Sequence, residues 1–276
     1  MIDAHHHLWT YSAAEYPWIP EGSPLHGDHD AAELAALAKP LGVDGSVVVQ
    51  ARQSVEESRD LIARGEASDF IRAIVGWAPL SDDGVDDVLA ELATEHKFRG
   101  VRHVCQSEPD GFMLDEAFTA GVQKCATHGL TYDLLIVGRQ LAESIQLVDR
   151  CPDVTIVLDH IAKPTITAGN YDTDWDRDIR RLAERENVWC KVSGMATEVT
   201  DDSWTTDLLR PYWDAVVEAF GPERLMFGSD WPVCLLKTDY GRWVETTREL
   251  ASDLSPSEQE GFFDGNARRA YGIEDA

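Results

Sequence analysis

Lysine is scarce in this 276-residue chain: six lysines and 18 arginines face 50 Asp and Glu, for a formal net charge of −26. No basic cluster relieves that acidity, so DNA, RNA and anionic membrane surfaces are excluded as partners. The acidic residues are scattered, as in a heavily solvated surface or one adapted to high salt. No apolar run approaches the ~20 residues of a membrane span. The opening Met1-Ile2-Asp3-Ala4-His5 has neither the basic region nor the apolar stretch of a secretory signal. The five cysteines, Cys105, Cys125, Cys151, Cys190 and Cys234, form no Cys-x-x-Cys pair and are odd in number. They read as free thiols in a reducing compartment, which makes a soluble cytoplasmic protein the expectation. Also missing are a Gly-x-Ser-x-Gly elbow and a glycine-rich turn after the first strand-like run, which argues against a serine hydrolase and a dinucleotide-binding sheet.

What is present is enough to fold. Hydrophobic residues make up 43% of the chain and aromatics 9%, nine of them Trp, so disorder is not expected despite the charge. Eight β-like runs recur at residues 1–4, 45–50, 71–77, 100–104, 130–136, 154–158, 188–192 and 225–228. Their starts fall roughly thirty residues apart, the length of one βα unit. Several are nearly continuous apolar runs, as parallel strands covered by helices should be. Amphipathic stretches at 54–65, 85–96, 115–129 and 139–150 lie between them, and Ser255-Pro256 opens a last helix running to Tyr271. This alternation predicts a distorted (β/α)8 TIM barrel forming one domain over residues 1–276. The segment 10–30, with Pro17, Pro20 and Pro24, is a long loop after strand 1 and a candidate lid.

The chemistry collects at predicted strand ends. In Asp3-Ala4-His5-His6-His7, alternation puts His5 and His7 on one face and His6 on the other. Two imidazoles side by side at a barrel mouth can hold a metal or polarise a carbonyl. His160 follows strand 6 and Asp230 follows strand 8, so both fall at the same mouth. A buried carboxylate there needs partners, and the histidines or a metal are the natural ones.

With these motifs assembled, the chain resembles a known family. Asp3-x-His5-x-His7, Asp159-His160-x-Ala162-Lys163-Pro164, Gly228-Ser229-Asp230-Trp231-Pro232 and Gly265-Asn266-Ala267-Arg268-Arg269 are similar to the amidohydrolase-related branch of the amidohydrolase superfamily. Gly100-Val101-Arg102-His103, Glu108-Pro109-Asp110 and Tyr132-Asp133-Leu134-Leu135 extend the likeness to its sugar-lactonase group, over residues 1–271. The resemblance implies hydrolysis of a small sugar-acid lactone, such as L-fuconolactone or L-rhamnonolactone. Asp230 is the expected general base, ionised at neutral pH. His5, His7 and His160 would polarise the carbonyl directly or through one divalent metal, zinc foremost, ligated by His5, His7, His160 and Asp230. Metal-independent catalysis stays open. Many members carry a bridging lysine or a ligand histidine on strands 4 and 5, where this chain has Arg102, His103 and Asp133, so a second metal is not expected.

Arg102, His103, Glu108, Asp133, Lys163, Trp9 and Trp231 are the candidate substrate contacts. The bland readings are mouth ion pairs, a turn-closing lysine and core aromatics. Two alternatives to the lactonase remain: a metal-dependent decarboxylase of aromatic acids, and a non-catalytic carbohydrate-binding protein on the same scaffold. The second predicts a missing base or ligand, and none is missing. Both a monomer and a homo-oligomer are compatible with the sequence.

Overall fold

The apolar runs become β1 (Ile2–His6), β2 (Gly45–Val49), β3 (Ile71–Gly76), β4 (Phe98–His103), β5 (Thr131–Leu134), β6 (Ile156–Leu158), β7 (Val188–Val192) and β8 (Leu225–Phe227). This is a computed structural model, and it describes residues 1–274. Neighbouring strands pair in parallel in the order β1 to β8, forming a (β/α)8 barrel. Helices cross between them: α1 (Ala31–Ala38), α2 (Val55–Glu66), α3 (Val85–Ala93), α4 (Glu116–Thr127), α5 (Leu141–Arg150), α6 (Thr173–Ala183), α7 (Thr206–Phe220) and α8 (Tyr240–Leu250).

Local chemistry explains where the helices begin. Asp30, Ser54, Asp115, Asp172, Thr205 and Asp239 each accept a backbone N–H from the first turn that follows, a cap contributing about 1 kcal/mol. Each helix turns an apolar stripe inward; α5, for example, buries Leu141, Ile145, Leu147 and Val148. A large apolar layer thus fills the space between strands and helices. A smaller cluster inside the barrel includes Ile2, Ala4, Val47, Val49, Ala73 and Val75.

Closure is irregular. An isolated parallel bridge, His6 to Trp231, joins the end of β1 to the segment after β8. The Asp230 N–H donates to the His5 carbonyl at 2.8 Å, and the His7 N–H donates to the Trp231 carbonyl at 2.7 Å. The expected distortion of the barrel lies at this seam.

The expected last helix over 256–271 is broken. Pro256–Glu260 (α9) and Asn266–Tyr271 (α10) flank a π-helical turn, Gly261–Gly265. The break brings Asn266 Nδ2 to the carbonyls of Pro222 at 2.8 Å and Leu225 at 2.5 Å, tying the C-terminal segment beneath β8. Loop 10–30 carries its own apolar cluster of Trp9, Tyr16, Ile19 and Leu25. All five cysteines are buried and unpaired. Among the described residues, no helix is long and apolar enough to cross a membrane.

Candidate active site

A register irregularity between Asp3 and His6 modifies simple alternation in β1. Ile2 and Ala4 join the interior cluster. Asp3 instead accepts from Ser229 N at 2.8 Å, His5 N at 3.2 Å and Tyr240 Oη at 3.2 Å. His5 and His7 converge at the mouth with their Nε2 atoms 3.3 Å apart. His6 turns away and meets Ser46 Oγ at 2.9 Å.

His160 stands on an unusual support. His160, Ile161, Ala162 and Lys163 all adopt left-handed φ, between 47° and 60°. Such backbone costs L-residues ~1–2 kcal/mol each, and strain of this kind persists where surrounding contacts dictate it. Here Trp175 Nε1 donates to the Ile161 carbonyl at 2.7 Å, and Lys163 N donates to the His160 carbonyl at 2.8 Å. The His160 ring rests against Gly194, where an added Cβ would lie 2.8 Å from Nδ1. Ser193 Oγ meets that Nδ1 at 2.8 Å, leaving Nε2 toward the mouth.

Asp230, also left-handed at φ 58°, gathers the three imidazoles. Its Oδ1 lies 3.4 Å from His7 Nε2, 3.8 Å from His5 Nε2 and 3.9 Å from His160 Nε2. Burial by itself would raise the Asp230 carboxyl, but His160, His7 and His5 outweigh it and hold it below the ordinary carboxylate range. Burial pushes His160 down to about 4 against the pull of Asp230 and Asp159, and it pushes His5 well below the usual imidazole range against Asp159.

Beneath it lies a charged floor. Arg102 Nη1 donates to Asp159 Oδ2 at 3.0 Å and approaches His5 Nε2 at 3.3 Å, while Nη2 donates to the Gln50 carbonyl. Lys191 Nζ reaches Asp133 Oδ2 at 2.6 Å, Asp159 Oδ1 at 3.0 Å and His5 Nδ1 at 3.1 Å. Burial raises the Asp159 carboxyl, but Lys191, His5 and Arg102 prevail and hold it well down.

A cavity of about 420 Å3 opens over these groups. His7, His160, Asp230, Arg102 and Lys163 line it with Trp18, Gln53, Gln106, Ser107, Leu135 and Val233. A larger groove of about 690 Å3 beside α1 is walled by alanines and by scattered charged side chains and has no imidazole.

Several expected contacts lie elsewhere. Asp133 is in the barrel interior below the mouth, held by Lys191 and by Tyr271 Oη at 2.7 Å. Its strand pairs Asp133 with Val157, a level under the histidine cluster. His103 and Glu108 satisfy each other at 2.9 Å beside the cavity, with His103 stacked on Phe112. Trp9 packs into the loop cluster and donates to the Gly27 carbonyl at 2.9 Å. Trp231 is fully buried, edge-on to His29.

Other groups went unnoticed in the sequence. Asp159 was visible only as the neighbour of His160. Lys191 had a signal: a lysine inside a strand buried on both faces needs partners. Ser193, Gln53, Gln106 and Ser107 had none.

The donor set suits one divalent ion. Ligand atoms of His5, His160 and Asp230 lie within 4.8 Å of one another. His7 Nδ1 faces the Val49 carbonyl at 2.8 Å, which leaves Nε2 toward His5 and Asp230 as the nitrogen available to an ion. Tetrahedral ligands ~2.0–2.1 Å from zinc stand about 3.3 Å from each other. The separations found here run from 3.3 to 3.9 Å. No further group of three such donors occurs among the described residues.

Comparison with known proteins places the chain in a family. The family model described as amidohydrolase matches residues 2–273. An L-fucono-1,5-lactonase of Burkholderia ambifaria is 34% identical over 99% of this chain and 96% of its own. An L-rhamnono-gamma-lactonase of Scheffersomyces stipitis is 25% identical over 99% of this chain and 98% of its own. A crystal structure of an amidohydrolase from Burkholderia multivorans with bound zinc superposes with a TM-score of 0.92 at 36% identity, covering 99% of both chains.

Proposed function

The chain belongs to the amidohydrolase family, and from that membership we propose that it hydrolyses a small sugar-acid lactone to the open aldonic acid. One observation carries the reading: a carboxylate held below the ordinary range, Asp230, faces the imidazoles of His5, His7 and His160 at the base of a cavity lined by amide, hydroxyl and cationic side chains. The lactone relatives support the substrate class.

Asp230 is the general base. It takes a proton from water as the water oxygen bonds to the lactone carbonyl carbon. Negative charge moves onto the carbonyl oxygen, where N–H groups of His5 and His160 stabilise it. The ring C–O bond then breaks, and Asp230 returns the proton to the departing alkoxide. Arg102 and Lys163 provide positive charge at the cavity wall for the carbonyl and the new carboxylate. A divalent ion, zinc first, would be held by His5, His7, His160 and Asp230 and would supply Lewis-acid polarisation. The unpaired buried thiols support a reducing compartment such as the cytoplasm.

A panel of 1,4- and 1,5-aldonolactones assayed with a pH indicator, with and without chelator, tests the proposal. Acid release on at least one member is expected. Silence across the panel, with carbon dioxide released from a hydroxybenzoate, would replace it with the decarboxylase reading.

A further inference from the structure

The lysine beneath His5 is required by neither the fold's apolar packing nor the reaction above, yet it is fully buried on β7. We propose that Lys191 is a positioning residue: its ammonium claims Nδ1 of His5, so that His5 carries its proton, and not a lone pair, on Nε2, the nitrogen that faces His7 and Asp230. The inference rests on the reading of His5 as part of the reacting site.

Counting donors leads to it. An ammonium has three N–H bonds and no acceptor. Three acceptors lie around Lys191 Nζ: Asp133 Oδ2 at 2.6 Å, Asp159 Oδ1 at 3.0 Å and His5 Nδ1 at 3.1 Å. If His5 Nδ1 is unprotonated, Lys191 donates to it and to Asp133 and keeps Asp159 as an ion-pair partner. His5 Nε2–H then donates to His7 Nε2 at 3.3 Å, and His7 Nδ1–H donates to the Val49 carbonyl at 2.8 Å. The chain of donors and acceptors runs unbroken from Lys191 to the strand β2 backbone.

The opposite tautomer is worse satisfied. His5 Nδ1–H would donate to Asp159 Oδ1 at 3.2 Å and Nε2 would accept from Arg102. The third Lys191 proton would then point at an N–H. Two Nε2 lone pairs, those of His5 and His7, would also face each other. The favoured tautomer leaves one conflict, at Arg102 Nη1, which keeps its bond to Asp159 Oδ2 at 3.0 Å.

The consequence concerns metal. An imidazole that carries its proton on Nε2 donates to an oxygen but cannot ligate an ion through that nitrogen. Ligation requires the proton to move to Nδ1, where the Lys191 ammonium opposes it. Lys191 thus weakens zinc binding and favours direct hydrogen-bond stabilisation by His5.

Two measurements test this, and neither needs substrate, so their failure is separate from failure of the lactone reading. In metal-stripped protein labelled with 15N-histidine, the His5 resonances (assigned by their loss in His5→Gln) should report an unprotonated Nδ1 and a protonated Nε2. A protonated Nδ1 overturns the proposal. Zinc affinity is then measured by competition with a chelating dye. The double variant Lys191→Met/Asp133→Asn removes one charge of each sign, so a change cannot come from net charge alone. It should bind zinc ~10–100-fold more tightly and shift the His5 proton to Nδ1, while Asp133→Asn alone stays near the unaltered protein. Unchanged affinity and tautomer in the double variant overturn the proposal, and if that variant does not fold, the spectrum of the unaltered protein decides.

Discussion

The interior of this barrel has two unlike halves. On β2 and β3 the inward side chains are Val47, Val49, Ala73 and Val75, which pack as an ordinary apolar filling. Across from them, β4 to β7 and the turn after β6 contribute Arg102, Asp133, Asp159 and Lys191, all buried. Isolated charges in such a place would cost several kcal/mol each. They persist because two cations meet two carboxylates at 2.6 to 3.0 Å. One half therefore supplies cohesion, and the other holds His5 from below at the expense of that cohesion. The candidate site sits where the barrel is least like its own core.

The strongest test of the contrast is Asp230→Asn. It should lower kcat/KM by ~10²–10⁴-fold, the usual contribution of a general base, while circular dichroism reports an unchanged fold. Near-normal turnover would remove Asp230 from the role. Next comes the histidine triplet. His7→Ala should lower turnover by about tenfold or more, whereas His6→Ala should act on thermal stability, since His6 faces Ser46 and not the cavity. Equal loss of activity in both would break the assignment of faces in β1.

On the apolar half the expectation reverses. Val47→Ala should reduce stability by ~1–3 kcal/mol in urea unfolding and leave kcat/KM nearly unchanged. A large catalytic defect there would mean that the two halves are coupled.

The smallest effect expected is with pH. Asp230 is held below the ordinary carboxylate range and His160 at about 4. A base with a lowered pKa stays active above it and is lost only as pH falls through it. Neither Asp230 nor His160 should therefore put a limb into the kcat/KM profile between pH 7 and pH 5, and an acid limb in that window would point to a group other than these two.

Much of this was legible in the chain. Apolar runs one βα unit apart announce a barrel, because strands covered on both faces must be apolar throughout and the helices between them need a stripe. His5, His7, His160 and Asp230 could be picked out because polar residues ending buried strands collect at one mouth. The substrate contacts were less legible. Trp9 and Trp231 look like stacking platforms, yet Trp9 is drawn into the cluster of loop 10–30 and Trp231 under the seam. Asp133 lies two residues inside strand β5, and that depth is a matter of register.

The sequence alone thus determined the strand–helix alternation and which polar residues end the strands at one mouth, since periodicity and local chemistry are properties of neighbours along the chain. Only the tertiary structure decided that Lys191, from β7, lies under His5 from β1, that Asp159 is shared between Arg102 and Lys191, and that four left-handed residues aim His160. Those depend on barrel closure and on register between strands far apart in sequence, where a shift of one residue turns each side chain to the opposite face.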